Sequence, residues 1–203
     1  MGSVDEEILR YFDFIVRSGR IVAIPIFAGG YGRADPRPAA SHGTEGPVGP
    51  EDHAYRDLSI QWVKDFRRVL DYLESRPDVD AEKMAYNGFS FGGRTAPQVL
   101  AVEPRLKAAV LNVGGLAQSR FLPEVDPFNF VPRVLTPVLM INGEHDIVFP
   151  YETSQRPMFE RMGTPVEHKR LHVTPAAHLV PLDELVRHTL GWFDEYLGVP
   201  AGT

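Results

Sequence analysis

The sequence predicts an α/β fold, a mostly parallel sheet with helices on both faces. Three observations carry that expectation. Short apolar runs alternate with amphipathic segments along the 203 residues. Several of those runs are continuously apolar, as strands buried on both faces are. And three polar or glycine-bearing segments, around Ser90, Asp146 and His178, each follow directly behind such a run. In a parallel sheet these are the carboxyl ends of strands, where ligands bind.

The elements follow in order. Residues 5–18 place Ile8, Leu9, Phe12, Ile15 and Val16 on one face of a helix, closed by Ser18-Gly19. Residues 21–27 form a short β-branched run expected to be a buried strand. The Gly-, Pro- and Ala-rich stretch 28–52 reads as a long loop, either functional or a disordered insertion. From 53 to 76, Trp62, Phe66, Val69, Leu70 and Leu73 oppose Lys64, Asp65, Arg67 and Arg68, an amphipathic helix closed by Arg76-Pro77. Met84, Ala85 and Tyr86 begin the next strand, and a helix with an internal Pro97 runs from Ser90 to about residue 103. Strands are expected over 106–113, 137–142 and, with mixed polarity that suits a sheet edge, 168–173. Helices are expected over 151–162 and 181–197. The last of these has Pro181 at its start, Gly198 past its end, and Leu182, Leu185, Val186, Phe193 and Leu197 inward.

Composition bounds the function. The length suits a single domain, residues 1–203, with a sizeable core. The net charge of −6 argues against nucleic acid or an anionic membrane as partner. No cysteine is present, so disulfides, thiol nucleophiles and thiolate metal sites are excluded. No apolar run approaches the roughly 18 residues of a membrane span. The acidic first residues do not resemble a secretory leader, and a cytoplasmic location is the default expectation.

The motif that organises the chain is Asn87-Gly88-Phe89-Ser90-Phe91-Gly92-Gly93, strand then sharp turn then helix. A serine hydroxyl is a weak nucleophile and must project to where a histidine can take its proton. A tight strand-to-helix turn does this and crowds its neighbours, hence glycines two before and two after the serine. The helix start also offers backbone N–H groups to developing negative charge. Asp146, behind the strand ending at Asn142-Gly143, is the candidate acid, with Glu144 as fallback. His178, in a small-residue loop after the last strand, is the candidate base. His172 and His188 fall inside a strand and a helix, and His145 reads as a wall residue beside Asp146. No histidine–carboxylate spacing suggests a metal site, so no metal is expected. Phe89, Phe121, Phe128 and Phe149 are candidates to line an apolar substrate pocket.

The order Ser90, Asp146, His178, with Gly88-Phe89-Ser90-Phe91-Gly92-Gly93, Gly143-Glu144-His145-Asp146 and Ala177-His178, resembles the three catalytic segments of the α/β-hydrolase superfamily. The helix from 53 to 76 and the Asp78-Val79-Asp80 connection are similar to its dienelactone-hydrolase and prolyl-oligopeptidase-like branch. The resemblance implies Ser90 as nucleophile, Asp146 as acid and His178 as base. It implies an acyl-enzyme intermediate on a small ester, no cofactor, and the Phe91 N–H as one oxyanion donor. A prolyl-oligopeptidase-like peptidase and a non-catalytic binding or assembly module are the rival readings.

The resemblance also exposes a gap. Only the run 21–27 lies before the Ser90 strand, where the family has about four strands in its usual eight-stranded sheet. The expectation is an α/β-hydrolase fold truncated at its N-terminus, without the loop that gives the second oxyanion donor. Two other accounts stay open. A second copy of the chain covers the open sheet edge, or 21–27 lies beside Ser90 with Ala28-Gly29-Gly30 as the oxyanion loop.

Overall fold

The computed structural model describes residues 11–28, 49 and 51–200. They fall into two compact units. The first comprises Met1–Asp80, Ser119–Val125 and Pro200–Thr203; the second comprises Ala81–Gln118 and Asp126–Val199.

In the first unit, helix α1 spans Asp13–Arg17 and helix α2 spans His53–Glu74. The expected helix over 5–18 is therefore seen as its last turns, residues before 11 lying outside the described part. Helix α2 buries Tyr55, Ser59, Trp62 and Leu70, a stripe at helical spacing. Trp62 donates its indole N–H to Ala28 O at 2.9 Å and meets Tyr55 edge to face. Tyr55 in turn packs on Phe121, ring centroids 5.3 Å apart. Arg76 forks onto Asp78 at 2.6 and 2.9 Å just beyond the helix, where Pro77 forbids its continuation.

The run 21–27 does not form a strand, contrary to expectation. Its isoleucines are exposed, Ile21 at 55%. Pro25 removes one ladder donor, and β-branched residues make a strand only where a neighbouring strand accepts them. The alternative oxyanion loop begins in this unit at Ala28, and Gly29 and Gly30 lie outside the described residues.

The second unit is a four-stranded parallel sheet in the order β1-β2-β3-β4, with β1 Ala85–Phe89, β2 Ala108–Asn112, β3 Val138–Gly143 and β4 Lys169–Thr174. Every residue of β2 and β3 is buried, as the continuous apolar runs require of central strands. β4 has the mixed exposure of an edge, matching its mixed sequence. Among the described residues β1 pairs only with β2, in register Phe89 to Asn112.

Helix α3, Phe91–Leu100, packs on β1 and β2. It is shorter than expected and carries Pro97 inside it. Helix α4 is a single turn, Pro127–Phe130, started by Asp126 Oδ1 accepting from Phe128 N at 3.0 Å. The helix expected over 151–162 is in two parts, a π turn at Tyr151–Gln155 and helix α5 at Arg156–Arg161. Helix α6, Leu182–Leu197, packs on β2 and β3, ending at Gly198 with φ 79°. It buries Leu185, Thr189, Trp192 and Phe193, whereas Leu182, expected inward, is 55% exposed. No helix among the described residues is long and apolar enough to cross a membrane.

Candidate active site

The carboxyl ends of β1, β3 and β4 carry Ser90, Asp146 and His178. Ser90 is the first residue past β1 and the N-cap of α3. Its φ is 48° and ψ −100°, an arrangement that costs a non-glycine residue about 1–3 kcal/mol. Backbone bonds on both sides hold it there: Ser90 N donates to Asn112 O at 2.8 Å, and Arg94 N donates to Ser90 O at 2.9 Å. Val113, past the end of neighbouring β2, also has positive φ, 47°, unusual for a β-branched residue. Its N–H donates to Ile141 O at 2.8 Å, and the next residue, Gly114, is brought against Gly93.

The glycines of the turn have separate duties. A Cβ on Gly88 would lie 2.6 Å from the Gly92 carbonyl carbon and 2.6 Å from the Tyr86 ring. A Cβ on Gly93 would lie 2.7 Å from Gly114 Cα. On Gly92 it would meet only the Tyr86 hydroxyl, at an ordinary 3.6 Å. Crowding therefore demands glycine at 88 and 93, and the expectation that 92 is glycine for the same reason is corrected. Tyr86 braces the turn by donating its hydroxyl to Gly92 O at 2.7 Å. Burial pushes the Tyr86 phenol well above its ordinary range, so it stays a donor.

Asp146 lies in the turn behind β3 with its side chain wholly buried. Oδ1 accepts from Val148 N at 2.8 Å and Phe149 N at 3.1 Å, while Oδ2 faces His178 Nδ1 at 2.9 Å. That leaves His178 Nε2 for Ser90 Oγ, at 2.8 Å. Ser90, His178 and Asp146 thus form one continuous hydrogen-bonded chain, 88 and 32 residues apart in sequence at its two links. Such a chain can pass a proton from hydroxyl to imidazole while the carboxylate fixes the ring's tautomer. Glu144, the fallback acid, is exposed, and its N–H donates to Thr174 O at 2.8 Å.

The loop bearing His178 is pressed against the loop bearing Asp146. His145 N donates to Ala176 O at 2.9 Å, and a Cβ on Gly143 would collide with the carbonyl oxygens of Ala176 and Ala177. Gln155, fully buried in the π turn, was not singled out by the sequence. Its amide donates to Gly143 O at 2.9 Å and to Phe149 O at 2.7 Å, tying together the two ends of the Asp146 loop. The interruption of a helix by a π turn is the kind of local signal that accompanies such sites.

The aromatic candidates separate. Phe149 and Phe89 stand by the His178 ring, with centroids 5.9 and 6.3 Å away. Phe128, on α4, is covered by the Arg161 guanidinium at 4.7 Å. Phe121 belongs to the first unit, where it packs on Tyr55. Phe91 supplies the first backbone N–H of α3, and its ring lies under the Arg94 guanidinium at 4.8 Å. A second polar cluster, His172, Glu184 and His188, gathers on β4 and α6. The four-residue spacing of Glu184 and His188 was the available sequence signal for it.

Comparison with known proteins bears on the family and the fold. Residues 26–178 match the dienelactone hydrolase family. No curated protein sequence matches. A cold-adapted esterase from an Arctic intertidal metagenomic library is similar in structure, with a TM-score of 0.58, 24% identity, and coverage of 72% of this chain and 65% of that one. Acetyl xylan esterase 1 from Thermoanaerobacterium gives 0.59 and 20%, covering 72% and 56%. TT1662 from Thermus thermophilus gives 0.65 and 17%, covering 86% and 76%. At these identities the likeness is one of fold, and the chain spans less than two thirds of the length of either esterase.

Proposed function

Since this chain belongs to the dienelactone hydrolase family, we propose that it is a serine hydrolase that cleaves a small carboxylic ester through an acyl-enzyme. The observation that carries the reading is the unbroken Ser90–His178–Asp146 hydrogen-bond chain, with Ser90 held at positive φ. Ser90 Oγ attacks the ester carbonyl carbon as its proton passes to His178 Nε2. Asp146 accepts from Nδ1 and favours the imidazolium so formed. The carbonyl oxygen, now anionic, meets the Phe91 N–H at the start of α3. Collapse expels the alcohol, which takes the proton from His178 and leaves Ser90 acylated. Water then attacks, giving its proton to His178, and the acid leaves as Ser90 is restored. Phe89 and Phe149, flanking the imidazole, give the substrate's apolar part a wall.

The test is labelling with a fluorophosphonate, which phosphonylates only an activated serine. The wild type is expected to label, and Ser90→Ala and His178→Ala are not. Folded wild type that stays unlabelled would overturn the reading in favour of a binding module.

A further inference from the structure

Glu184 and His188 lie one turn apart on α6, and His172 faces them from β4. One ligand atom from each lies within 4.8 Å of the others, and all three residues are half-buried. Glu184 Oε2 is 2.6 Å from His172 Nε2, and Glu184 Oε1 accepts from Thr174 Oγ1 at 3.1 Å. The His172 and His188 rings lie one over the other, centroids 3.8 Å apart and tilted by 34°. His188 Nε2 is buried with no hydrogen-bond partner among the described residues.

The hydrogen bond between His172 and Glu184 explains two of these groups and leaves His188 unexplained. A buried ring nitrogen without a partner is costly. Two imidazoles this close cannot both hold a proton without repulsion, so at least one is neutral, the form that binds metal. Burial also lowers the His188 pKa, with His172, Arg187 and Arg170 adding to the effect and Glu184 opposing it. We infer that His172, Glu184 and His188 form a site for a first-row divalent ion of the Zn2+ type.

Two imidazoles and one carboxylate are the donor set that such ions prefer over Mg2+ or Ca2+. Bonds of about 2.0–2.2 Å to a tetrahedral ion set its ligand atoms a little over 3 Å apart. The His172–Glu184 hydrogen bond therefore opens, its proton is released, and the ion takes the proton's place. Thr174 stays on the other carboxylate oxygen and orients it. Arg170 and Arg187 oppose the added charge, which points to moderate affinity. The position gives the ion a structural role. His172 and Thr174 end β4, Glu184 begins α6, and the loop between them presents His178, so the ion would clasp the base of that loop.

The experiment titrates folded protein with Co2+, reads visible d–d absorption, and then displaces it with Zn2+. One ion per chain with low-symmetry bands is expected. His188→Gln and Glu184→Gln should each weaken binding roughly 10- to 100-fold, while His145→Gln and His178→Ala should not. Absence of bands in the wild type overturns the inference. So does binding that survives both cluster substitutions, or that is lost with His178→Ala instead. Circular dichroism checks each variant, and the Zn2+-induced rise in thermal midpoint, expected in wild type and lost in whichever cluster variant folds, gives a second readout. None of these readouts depends on ester cleavage.

Discussion

The two halves of the candidate site are held by different mixtures of contact. The Ser90 turn is fixed by missing side chains: Gly88 against Gly92, Gly93 against Gly114, backbone on backbone. The loops bearing Asp146 and His178 share one such contact, Gly143 against Ala176 and Ala177, and add polar side chains, with Gln155 on two carbonyls and Glu184 on Thr174 and His172. Backbone contacts of this kind have no slack, because no rotamer can move aside. Side-chain ties can be lost one at a time. The candidate nucleophile should therefore fail abruptly on substitution, and the candidate acid–base pair by degrees where a side-chain tie is lost.

The largest expected effect is the simplest. Ser90→Ala should lower kcat by roughly 10^4- to 10^6-fold with a nearly unchanged thermal midpoint, since alanine keeps the Cβ and the strained backbone and gives up one hydroxyl. Next is Gly88→Ala, where the new Cβ meets backbone that cannot retreat. It should destabilise by about 1–3 kcal/mol in chemical denaturation and cost roughly 100-fold in kcat/KM. A mild, purely kinetic phenotype there would break the contrast. Gln155→Leu takes the side-chain donor away from Gly143 O and Phe149 O, at about 2 kcal/mol. It should still label with fluorophosphonate, only more slowly, and complete loss of labelling would place the acid loop with the abrupt half.

A smaller effect concerns acid. The His172 hydrogen bond, chiefly, holds the Glu184 carboxyl below its usual range. A lowered folded-state pKa gives stability that is present above the unfolded value, about 4.3, and lost as pH falls through the folded one. Glu184→Gln should thus flatten the acid limb of thermal midpoint against pH and leave the alkaline limb alone. The smallest effect sharpens the comparison most. Gly92→Ala finds room, and within the first turn of α3 it should be neutral or stabilise by up to about 1 kcal/mol. A loss as large as that of Gly88→Ala would mean that position 92 is as constrained as the geometry makes 88.

These contrasts track what the sequence could reveal. The place of Ser90 was legible because strand, turn and helix are local, and the places of Asp146 and His178 because each follows a strand end. The glycine duties were misread at 92 because the partner of Gly93 is Gly114, in the turn beyond another strand, and spacing within one turn cannot show it. Residues 21–27 have strand composition, but a strand exists only with a neighbour to bond. Trp192 and Gln155 were missed for related reasons. One is buried by a helix face wider than the leucine stripe suggested, and the other has significance only through two carbonyls, 6 and 12 residues away. His172, read as a strand residue alone, gains chemical meaning only when α6 returns past it.

The complete burial of β2 and β3 has a consequence for motion. Amides open to solvent exchange by local unfolding, and central strands do so last. The turn after β2 carries Val113 and Gly114, and β3 ends at Gly143, beneath the Asp146 loop. Of the candidate trio only Asp146 follows one of these strands directly, with Ser90 on the half-buried β1 and the His178 segment on the more open β4 flank. In a hydrogen–deuterium exchange time course the peptides over 108–112 and 138–143 should be the last to gain mass, while 175–181 gains it early. The proposed acceptor of the serine's proton would then open to solvent well before the strand that ends beneath Asp146.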